Sequence, residues 1–548
     1  MDNLRLVLTK KETISRRLWK KFESESLFAQ YSPFFISLAA GTLALQAFHD
    51  FISQDLHLLK AFYHAYLSAE KCLNDDAEKW VVHDLRENLR KEIVAYVKII
   101  QEDFKLPKRE TTYATIVNYG DFLHDTKSGK VEGRIVPCKR KIAAFTLCAI
   151  VPCMKLYSHL FQQIKKILHP SDTTTHNYKK CIDIYCSEDF EVVLAMRTQF
   201  MLEKLSDCFT EDEVEVMEKH YHRAMKLQVD FFAKLPTHKC TLVTLSRLQE
   251  LRKSKLTIFC DYDMTCPIAE SASAVILANM SIALPQVYRM SSEELRNAWD
   301  VLDYQRTMDF EQWFETIMSS TMPGRQVFND AGSESPFSSC RMGDKGKYKG
   351  GTVGMLKGIS LDTIKSAAST VILQDGCRRF FQKLAENESR NINVHIISNY
   401  WGSDLIKAVL SPEKNVFTVH SNELAMKNGV TMGDITRIVE TSSNKFKTFH
   451  AVIKGCKTEI GHLTVYIGGD VADLLCLLAA DIGIVICPSL NLWRLADRFG
   501  LKFVALFDEL VRRKNEPAAG YHNNWKPYSG VLYTVSCWAE IEAFILGL

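Results

Sequence analysis

The sequence predicts a two-domain protein in which an all-α domain precedes an α/β domain with a parallel sheet. First, the chain has 548 residues, which is more than one hydrophobic core usually supports. Second, residues 12–236 place apolar side chains at three- and four-residue spacing and show no strand signals. Third, after a mixed stretch at 237–254, apolar strand-like runs alternate with helical segments over 255–548. We interpret 237–254 as the linker between the two domains.

Composition excludes several classes of partner and compartment. The net charge is only +3 and there is no long basic run, so neither nucleic acid nor a membrane surface is expected as the main partner. The 16 cysteines form no C-x-x-C pair, which favours reduced thiols over a disulfide framework or a structural zinc site. The apolar run 142–154 is too short to cross a bilayer. We expect a cytoplasmic protein, and a mitochondrial form stays open.

The first domain is predicted to be a helical bundle. Its apolar residues recur at helical spacing in six segments. These segments are 22–51, 58–67, 80–100, 142–168, 190–205 and 214–232.

The second domain is predicted to contain six strands with helices between them. These strands are 256–260, 394–398, 416–420, 463–468, 482–487 and 503–506. About 130 residues separate the first two strands, far more than a crossover connection needs, so residues 267–390 are predicted to form a cap insertion. Within it we expect helical structure at 269–317, a loop at 319–358 and a helix at 361–386 that returns to the core.

Two carboxylates follow the first of these strands directly. Asp261 and Asp263 would face the crevice at the carboxyl end of the sheet, and the Thr265 hydroxyl comes two residues later. Two acids this close repel each other, which indicates a bound cation or a shared proton. The alternative is a turn at the strand end with solvated aspartates.

Three further polar groups follow later strands in chain order: Ser398, Lys445, and the pair Asp470 and Asp473. Together with Asp261 they make residues 254–548 resemble the haloacid dehalogenase-type phosphatases, whose α/β domain has a Rossmann-like sheet. Lys447 lies two residues from Lys445 and leaves the identity of the motif lysine open.

The resemblance implies a mechanism. Asp261 would form an aspartyl-phosphate, and Asp263 would protonate the leaving oxygen and later deprotonate water. Thr265, Ser398 and Lys445 would bind the substrate's phosphate.

The resemblance also implies an Mg²⁺ cofactor, which Asp261, the backbone carbonyl of Asp263 and Asp473 would hold. The fourth motif departs from the superfamily pattern, because Gly469 stands where an aspartate is usual. Asp470 would then compensate by a shift of one residue, or the affinity for the metal would fall.

The helical half resembles the TenA family of thiaminase-II-like aminopyrimidine hydrolases, which share the fold of haem oxygenase. Matching positions are Asp55, which ends a Phe48…Gln54-Asp55 motif, Tyr119, Cys153, Tyr157 and Tyr185. The resemblance implies that Cys153 is the nucleophile and that the other four bind an aminopyrimidine. The alternative is that Cys153 is a core cysteine.

Two positions depart from the TenA pattern. Leu58 replaces a tyrosine, and Gln228, a further substrate-binding position, replaces a glutamate. A neutral amide cannot exchange protons at physiological pH. We therefore expect this pocket to bind a pyrimidine and to hydrolyse it poorly or not at all.

The order of the two domains resembles the plant bifunctional proteins of thiamin metabolism, which join an aminopyrimidine hydrolase to a thiamin monophosphate phosphatase. This resemblance alone implies the substrates, thiamin monophosphate and aminopyrimidines. One alternative is a broader phosphomonoesterase acting on nucleotides or other small phosphates. Another is a catalytically impaired paralogue that binds thiamin-related ligands. TenA relatives tend to assemble through their helices, which suggests a homo-oligomer.

Overall fold

A computed structural model gives the fold. It describes residues 13–98, 112–168, 176–235, 255–268, 292–319, 357–386, 392–410, 416–456, 462–514, 525 and 527–547. The chain forms two compact units, one mainly helical and one α/β. The first comprises residues 1–244 with 510–517 and 546–548, and the second comprises 245–509 and 518–545. The predicted linker 237–254 and almost all of the predicted loop 319–358 lie outside the described residues, as does 269–291 of the predicted cap.

The helical unit consists of long helices, as the sequence predicts. Its helices are α1 Ile14–Gln30, α2 Pro33–Ala39, α3 Leu45–Cys72, α4 Asp76–Lys98, α5 Ala114–Lys127, α6 Lys139–Ile167, α7 Lys179–Tyr185, α8 Arg197–Ser206 and α9 Glu211–Lys234, with a π-helical segment at Asp189–Met196.

The apolar periodicity across 22–51 belongs to three helices rather than one. Pro33 has no backbone N–H and begins α2, and Ser32 caps it by accepting a hydrogen bond from the backbone N–H of Phe35 at 3.2 Å. The expectation that this half contains no strands is also wrong. A two-residue hairpin, β1 Lys130–Val131 and β2 Arg134–Ile135, turns at Glu132 and Gly133, which both have positive φ.

Helix α6 runs through the core of the helical unit. It packs against α3, α8 and α9, and its residues from Ala143 to Met154 are all buried. Among the described helices it is the one that is long and apolar enough to cross a membrane, and 89% of its most apolar stretch is buried inside the protein. It places Cys153 and Tyr157 on the inside of the bundle.

The α/β unit is organised around a sheet of nine strands in its described part. The strands are β3 Leu256–Cys260, β4 Lys357–Ser360, β5 Ile392–Trp401, β6 Thr418–Lys427, β7 Val430–Thr436, β8 Leu463–Gly468, β9 Ile482–Ile486, β10 Lys502–Ala505 and β11 Val531–Val535. Their spatial order is β10-β11-β9-β8-β3-β5-β6-β7-β4, parallel from β10 to β6 and antiparallel from there to β4.

Helices connect and cover these strands. They are α10 Ser292–Met318, α11 Leu361–Ala367, α12 Cys377–Glu386, α13 Ser403–Leu410, α14 Ser442–Cys456, α15 Leu474–Ala479, α16 Leu490–Phe499, α17 Leu506–Lys514 and α18 Trp538–Ile545. The alternation of strand and helix confirms the predicted α/β class.

Two details of the prediction need correction. The helix predicted at 361–386 is two helices, α11 and α12, because the chain turns between them and Gly376 has φ +82°. Strands β4, β7 and β11 were not predicted. The second of the two helices does return to the core, since Phe380 and Phe381 pack against Trp538 at ring distances of 5.3 and 5.7 Å.

Candidate active sites

Asp261 stands at the carboxyl end of the central strand of the α/β unit. Strand β3 pairs in parallel with β8 on one side and β5 on the other, and all five of its residues are buried. The backbone N–H of Asp261 donates to the carbonyl of Ile467 at 2.9 Å, which continues the β8 ladder by one residue. The carboxylate is therefore fixed by the sheet itself, and it is only 2% exposed.

The Lys445 ammonium bridges two buried carboxylates. Its Nζ lies 2.6 Å from Asp261 Oδ1 and 2.7 Å from Asp473 Oδ1, and the residue is 1% exposed. Lys445 lies in the first turn of α14, where its own N–H donates to the carbonyl of Thr441. Lys447 is exposed, so Lys445 is the lysine of the site.

Asp473 positions this lysine and the turn after β8. Its Oδ1 accepts hydrogen bonds from Lys445 and from the Tyr466 hydroxyl at 3.0 Å. Its Oδ2 accepts the backbone N–H groups of Gly469 and Asp470, each at 3.1 Å. Four donors satisfy both oxygens of a fully buried carboxylate.

Gly469 is required by the close approach of the next strand. A Cβ on this residue would lie 2.3 Å from the carbonyl oxygen of Ile486, which no side chain tolerates without a backbone shift. Its own carbonyl accepts the N–H of Ser489 at 2.8 Å, and the Ser489 hydroxyl donates to Asp470 Oδ1 at 3.0 Å. Asp470 is thus held by the segment after β9, which lies on the side of β8 away from Asp261.

Burial and charge set the protonation of these groups. Burial, and then the charge of Asp473, raise the pKa of Asp261 to about 8, although Lys445 opposes the rise. Burial alone would lower the pKa of Lys445, but the two carboxylates more than offset it, so the pKa is raised and the ammonium stays charged. The Lys445 ammonium is thus the shared ion-pair partner of two buried carboxyl groups, those of Asp261 and Asp473.

The remaining predicted residues surround Asp261 to different extents. The Thr265 hydroxyl donates to Asp261 Oδ2 at 3.1 Å, and the Thr265 carbonyl accepts the Trp538 indole N–H at 3.1 Å. Ser398 is buried in β5, two residues beyond Ile396, which pairs with Cys260. Asp263 is half-buried and close enough to raise the pKa of Asp261 further.

The donor set fits an Mg²⁺ ion held by few protein ligands. Among the described residues no three His, Cys, Asp or Glu side chains are grouped to hold a metal. Mg²⁺, however, is commonly held by one or two carboxylates together with a substrate's phosphate and water. The Asp261 carboxylate meets that requirement, and the backbone carbonyl of Asp263 is a further oxygen ligand that leaves the Asp263 side chain for proton transfer. The contacts of Asp473 and Asp470 do not support their assignment to metal, which stays a prediction.

In the helical unit, tyrosines surround a fully buried carboxylate. Asp55 Oδ1 accepts the Tyr157 hydroxyl at 2.9 Å, and Oδ2 accepts the Tyr185 hydroxyl, which also bonds to that of Tyr96. Burial raises the pKa of Asp55 to about 6, and the tyrosine hydrogen bonds limit the rise. Tyr96 was not predicted, and nothing in its local sequence distinguishes it from a core residue.

The predicted nucleophile lies close to this carboxylate. Cys153 is 4% exposed, and burial together with the charge of Asp55 raises the pKa of its thiol well above the usual value. The Tyr119 hydroxyl lies nearby and donates to the carbonyl of Ala149 at 2.7 Å. Leu58 is fully buried and adds no polar group.

Comparison with known proteins finds relatives of the helical half and of the whole chain. Residues 25–236 match the family model described as TENA/THI-4/PQQC family. Over 572 aligned residues the chain is 38% identical to the "Bifunctional TH2 protein, mitochondrial" of Arabidopsis thaliana, covering 100% of this chain and 91% of that protein. The chain belongs to the family of bifunctional TH2 proteins. The predicted two-domain resemblance is confirmed, and the relative's name agrees with the mitochondrial form that the sequence left open.

Solved structures resemble each half of this TH2-family chain in turn. A TenA homologue from Pyrococcus furiosus is 17% identical and covers 40% of this chain and 98% of its own, with a TM-score of 0.35. A structure of phosphoserine phosphatase as a phospho-aspartyl intermediate analogue is 14% identical. It covers 53% of this chain and 99% of its own, with a TM-score of 0.28.

Replacing Lys445 by methionine tests the central ion pair. The variant leaves two buried carboxylates without a cation, so we expect the free energy of unfolding to fall by about 3–5 kcal/mol at pH 8. The loss should shrink toward acidic pH, where the carboxylates take up protons. Urea denaturation measures it. The matched control Lys447→Met, two residues away and exposed, should change stability by less than about 0.5 kcal/mol. Equal effects of the two variants would contradict the ion-pair geometry.

The raised pKa of Asp55 predicts a pH dependence of stability. The folded state holds this proton up to about pH 6, whereas the unfolded state loses it near pH 3.8. Stability should therefore fall as pH rises from about 4 to about 6, by roughly 3 kcal/mol at 1.4 kcal/mol per pKa unit. Asp55→Asn should lack this fall in urea denaturation curves recorded from pH 4 to pH 7. If the free energy of unfolding depended on pH in the same way in the variant and the wild type, the predicted effect of burying Asp55 would be contradicted.

Proposed function

We propose that the α/β domain is a phosphomonoesterase whose substrate is thiamin monophosphate, acting in thiamin biosynthesis and salvage. The observation that carries the hydrolase assignment is the Asp261–Lys445–Asp473 arrangement at the end of the central parallel strand. It presents a nucleophilic carboxylate beside a fixed cation in a buried site.

The reaction has two displacements. A carboxylate oxygen of Asp261 attacks phosphorus and forms an aspartyl-phosphate, while the leaving alkoxide takes a proton from Asp263. Water then attacks the same phosphorus, gives up a proton to Asp263, and releases inorganic phosphate and the Asp261 carboxylate. The second step therefore returns to Asp263 the proton lost in the first, and it frees the Asp261 carboxylate for the next turnover.

Neighbouring groups prepare Asp261 for this role. Lys445 on Oδ1 and Thr265 on Oδ2 fix the plane of the carboxylate, and the Lys445 charge favours its ionised form. Ser398, which is buried in β5, and Lys445 bind phosphate oxygens as negative charge builds in the transition state. Asp473 acts through Lys445 as a positioning residue.

An Mg²⁺ ion held by Asp261 and Asp263 would supply charge neutralisation to the phosphate. This part of the proposal is supported by the Asp261 carboxylate, by the position of the Asp263 carbonyl two residues later, and by the superfamily resemblance.

The helical domain is proposed to be the TenA-like partner, with a pocket for aminopyrimidines made by Asp55, Cys153 and the tyrosines around them. We propose small molecules as the ligands of both domains, and neither nucleic acid nor a membrane. Assembly into a homo-oligomer through the helical domain is a further prediction.

Substrate choice is supported by the domain order shared with the TH2 family and by no single residue. A broader phosphomonoesterase with activity on nucleotides would use the same groups. A catalytically impaired paralogue that binds thiamin-related ligands without turnover is the second alternative. Gly469, Leu58 and Gln228 favour it, and the approach of Ile486 leaves no space for a side chain at position 469.

Replacing Asp261 by asparagine tests the nucleophile. The amide cannot form an aspartyl-phosphate, so phosphate release from an aryl phosphate with Mg²⁺ should fall by at least about 10³-fold, as for other essential nucleophiles. The exposed Asp497→Asn serves as the matched control and should keep full activity.

A substrate panel completes this test. Thiamin monophosphate should be hydrolysed with a higher kcat/KM than nucleoside monophosphates, and the reverse order would support the broader enzyme. Wild-type protein that releases no phosphate from any of them would overturn the phosphatase assignment.

A further inference from the structure

The side chain of Gln374 joins two residues whose backbone lies in the left-handed region. Its Nε2 donates to the carbonyl of Met264 at 3.0 Å, and its Oε1 accepts a hydrogen bond from the Cys487 thiol at 3.2 Å. Met264 has φ +58° and Cys487 has φ +47°, values that residues other than glycine rarely adopt. Such a conformation persists only where the surrounding structure holds it, and it is common at functional sites.

Met264 belongs to the turn that carries the proposed catalytic carboxylates. Within this turn the backbone N–H of Thr265 donates to the carbonyl of Tyr262 at 3.3 Å. The turn brings the Thr265 hydroxyl back to Asp261 Oδ2 at 3.1 Å and leaves Asp263 half-buried next to Met264. The backbone conformation at residue 264 therefore sets where Asp263 lies relative to Asp261.

Three successive carbonyls of this turn accept hydrogen bonds from outside it. The Met264 carbonyl accepts the side chain of Gln374, and the Cys266 carbonyl accepts its backbone N–H at 2.8 Å. The Thr265 carbonyl accepts the indole N–H of Trp538 at 3.1 Å. Thr265 is thus held by Trp538, whereas Met264 is held by Gln374.

Gln374 reaches the turn because the two ends of the predicted cap insertion run side by side. Leu373 forms an antiparallel bridge with Pro267, and the N–H of Ile268 donates to the carbonyl of Ile372 at 3.0 Å. The chain that leaves the catalytic turn is therefore paired with the chain that returns to it. This pairing places the Gln374 amide beside the turn.

We propose that Gln374 is a positioning residue for Asp263, and that it fixes the backbone at Met264 so that the Asp263 carboxyl group meets the leaving oxygen of the substrate. The inference rests on the phosphatase function proposed above. Gln374 bonds to the backbone of the turn and acts on the reaction through it.

A primary amide suits this role because it donates to one group while it accepts from another. Without the donor, residue 264 can return to the negative φ that methionine prefers, and the neighbouring Asp263 moves with it. Asp261 keeps its place through the β8 ladder, and Thr265 keeps its place through Trp538. Proton transfer by Asp263 should therefore suffer more than attack by Asp261.

Two kinds of phosphate ester separate these effects. An alkyl ester such as thiamin monophosphate expels a strongly basic alkoxide, which needs a proton as it leaves. The ester p-nitrophenyl phosphate expels a stabilised phenolate, which leaves without one. The ratio kcat/KM covers the steps up to loss of the leaving group, so its change in a variant reports on Asp263 as the acid when the two esters are compared.

The experiment uses the full-length chain, with Mg²⁺ at a saturating concentration for each protein. Gln374→Glu keeps the size of the side chain and replaces its donor by an acceptor, and Gln374→Met removes both polar groups. Since general acid catalysis contributes roughly 10²–10⁴-fold, each variant should lower kcat/KM at least about tenfold for thiamin monophosphate, or for the alkyl ester that the wild type hydrolyses best. For p-nitrophenyl phosphate the fall should be less than about threefold, because this ester makes little use of the acid.

Two controls accompany the test. Gln382 is exposed on α12, so Gln382→Glu makes the same chemical change away from the turn and should leave kcat/KM unchanged for both esters. Inorganic phosphate should inhibit the Gln374 variants and the wild type within about threefold of each other, because Asp261 and Lys445 keep their places.

Equal falls for the two esters would indicate a general disturbance of the site and would overturn the role of Gln374, as would unchanged values for both. Melting temperatures identify a variant that does not fold, and Gln374→Met then carries the test in place of Gln374→Glu. Wild-type protein that hydrolyses neither ester would overturn the phosphatase function itself. Wild-type protein that hydrolyses both, with variants that show no difference between the esters, would overturn only the positioning role.

Discussion

The α/β domain depends on one ammonium group placed between two buried carboxylates. Lys445 lies within 2.7 Å of an oxygen of both Asp261 and Asp473, and all three are almost completely buried. Ion pairs in such surroundings stabilise a fold only when further hydrogen bonds satisfy the remaining lone pairs. Thr265, Tyr466 and the backbone of the turn after β8 provide them. Three elements, β3, α14 and the end of β8, are thereby joined at the point where phosphate chemistry is proposed.

Much of this site could be read from the sequence because parallel strands bring their carboxyl ends to one edge. Asp261 and Asp473 follow the paired parallel strands β3 and β8, and Lys445 joins them in the folded protein. Ser398 lies inside β5, the strand on the other side of β3. The sequence also contains the information that distinguishes Lys445 from Lys447. Phe446, Phe449 and Ile453 mark the buried face of α14, and Lys445 shares that face while Lys447 does not. The helical period was the signal that settles it.

Other features were missed for two different reasons. Strand β7 had a signal in the sequence, the Asn428-Gly429 pair, which is typical of the two-residue turn of a β-hairpin. In the structure both residues have positive φ and join β6 to β7. The contacts of Asp473 had none, because its partners Lys445 and Tyr466 come from separate elements and only the folded sheet brings them together. For Gly469 the sequence shows only part of the answer. It shows that a glycine replaces the usual aspartate of the superfamily motif, but it does not show that Ile486 approaches this position. In the helical domain, tyrosine hydroxyls surround the buried Asp55, and none of its hydrogen-bond partners in the described part of the chain is a cation.

The most direct measurement asks whether Asp261 becomes phosphorylated. Turnover of an aryl phosphate is quenched in acid, the acyl phosphate is reduced with borohydride, and the peptide that contains residue 261 is analysed by mass spectrometry. The account predicts conversion of Asp261, and of no other aspartate, to homoserine. Turnover without that product, or a protein that neither turns over nor labels, would contradict it.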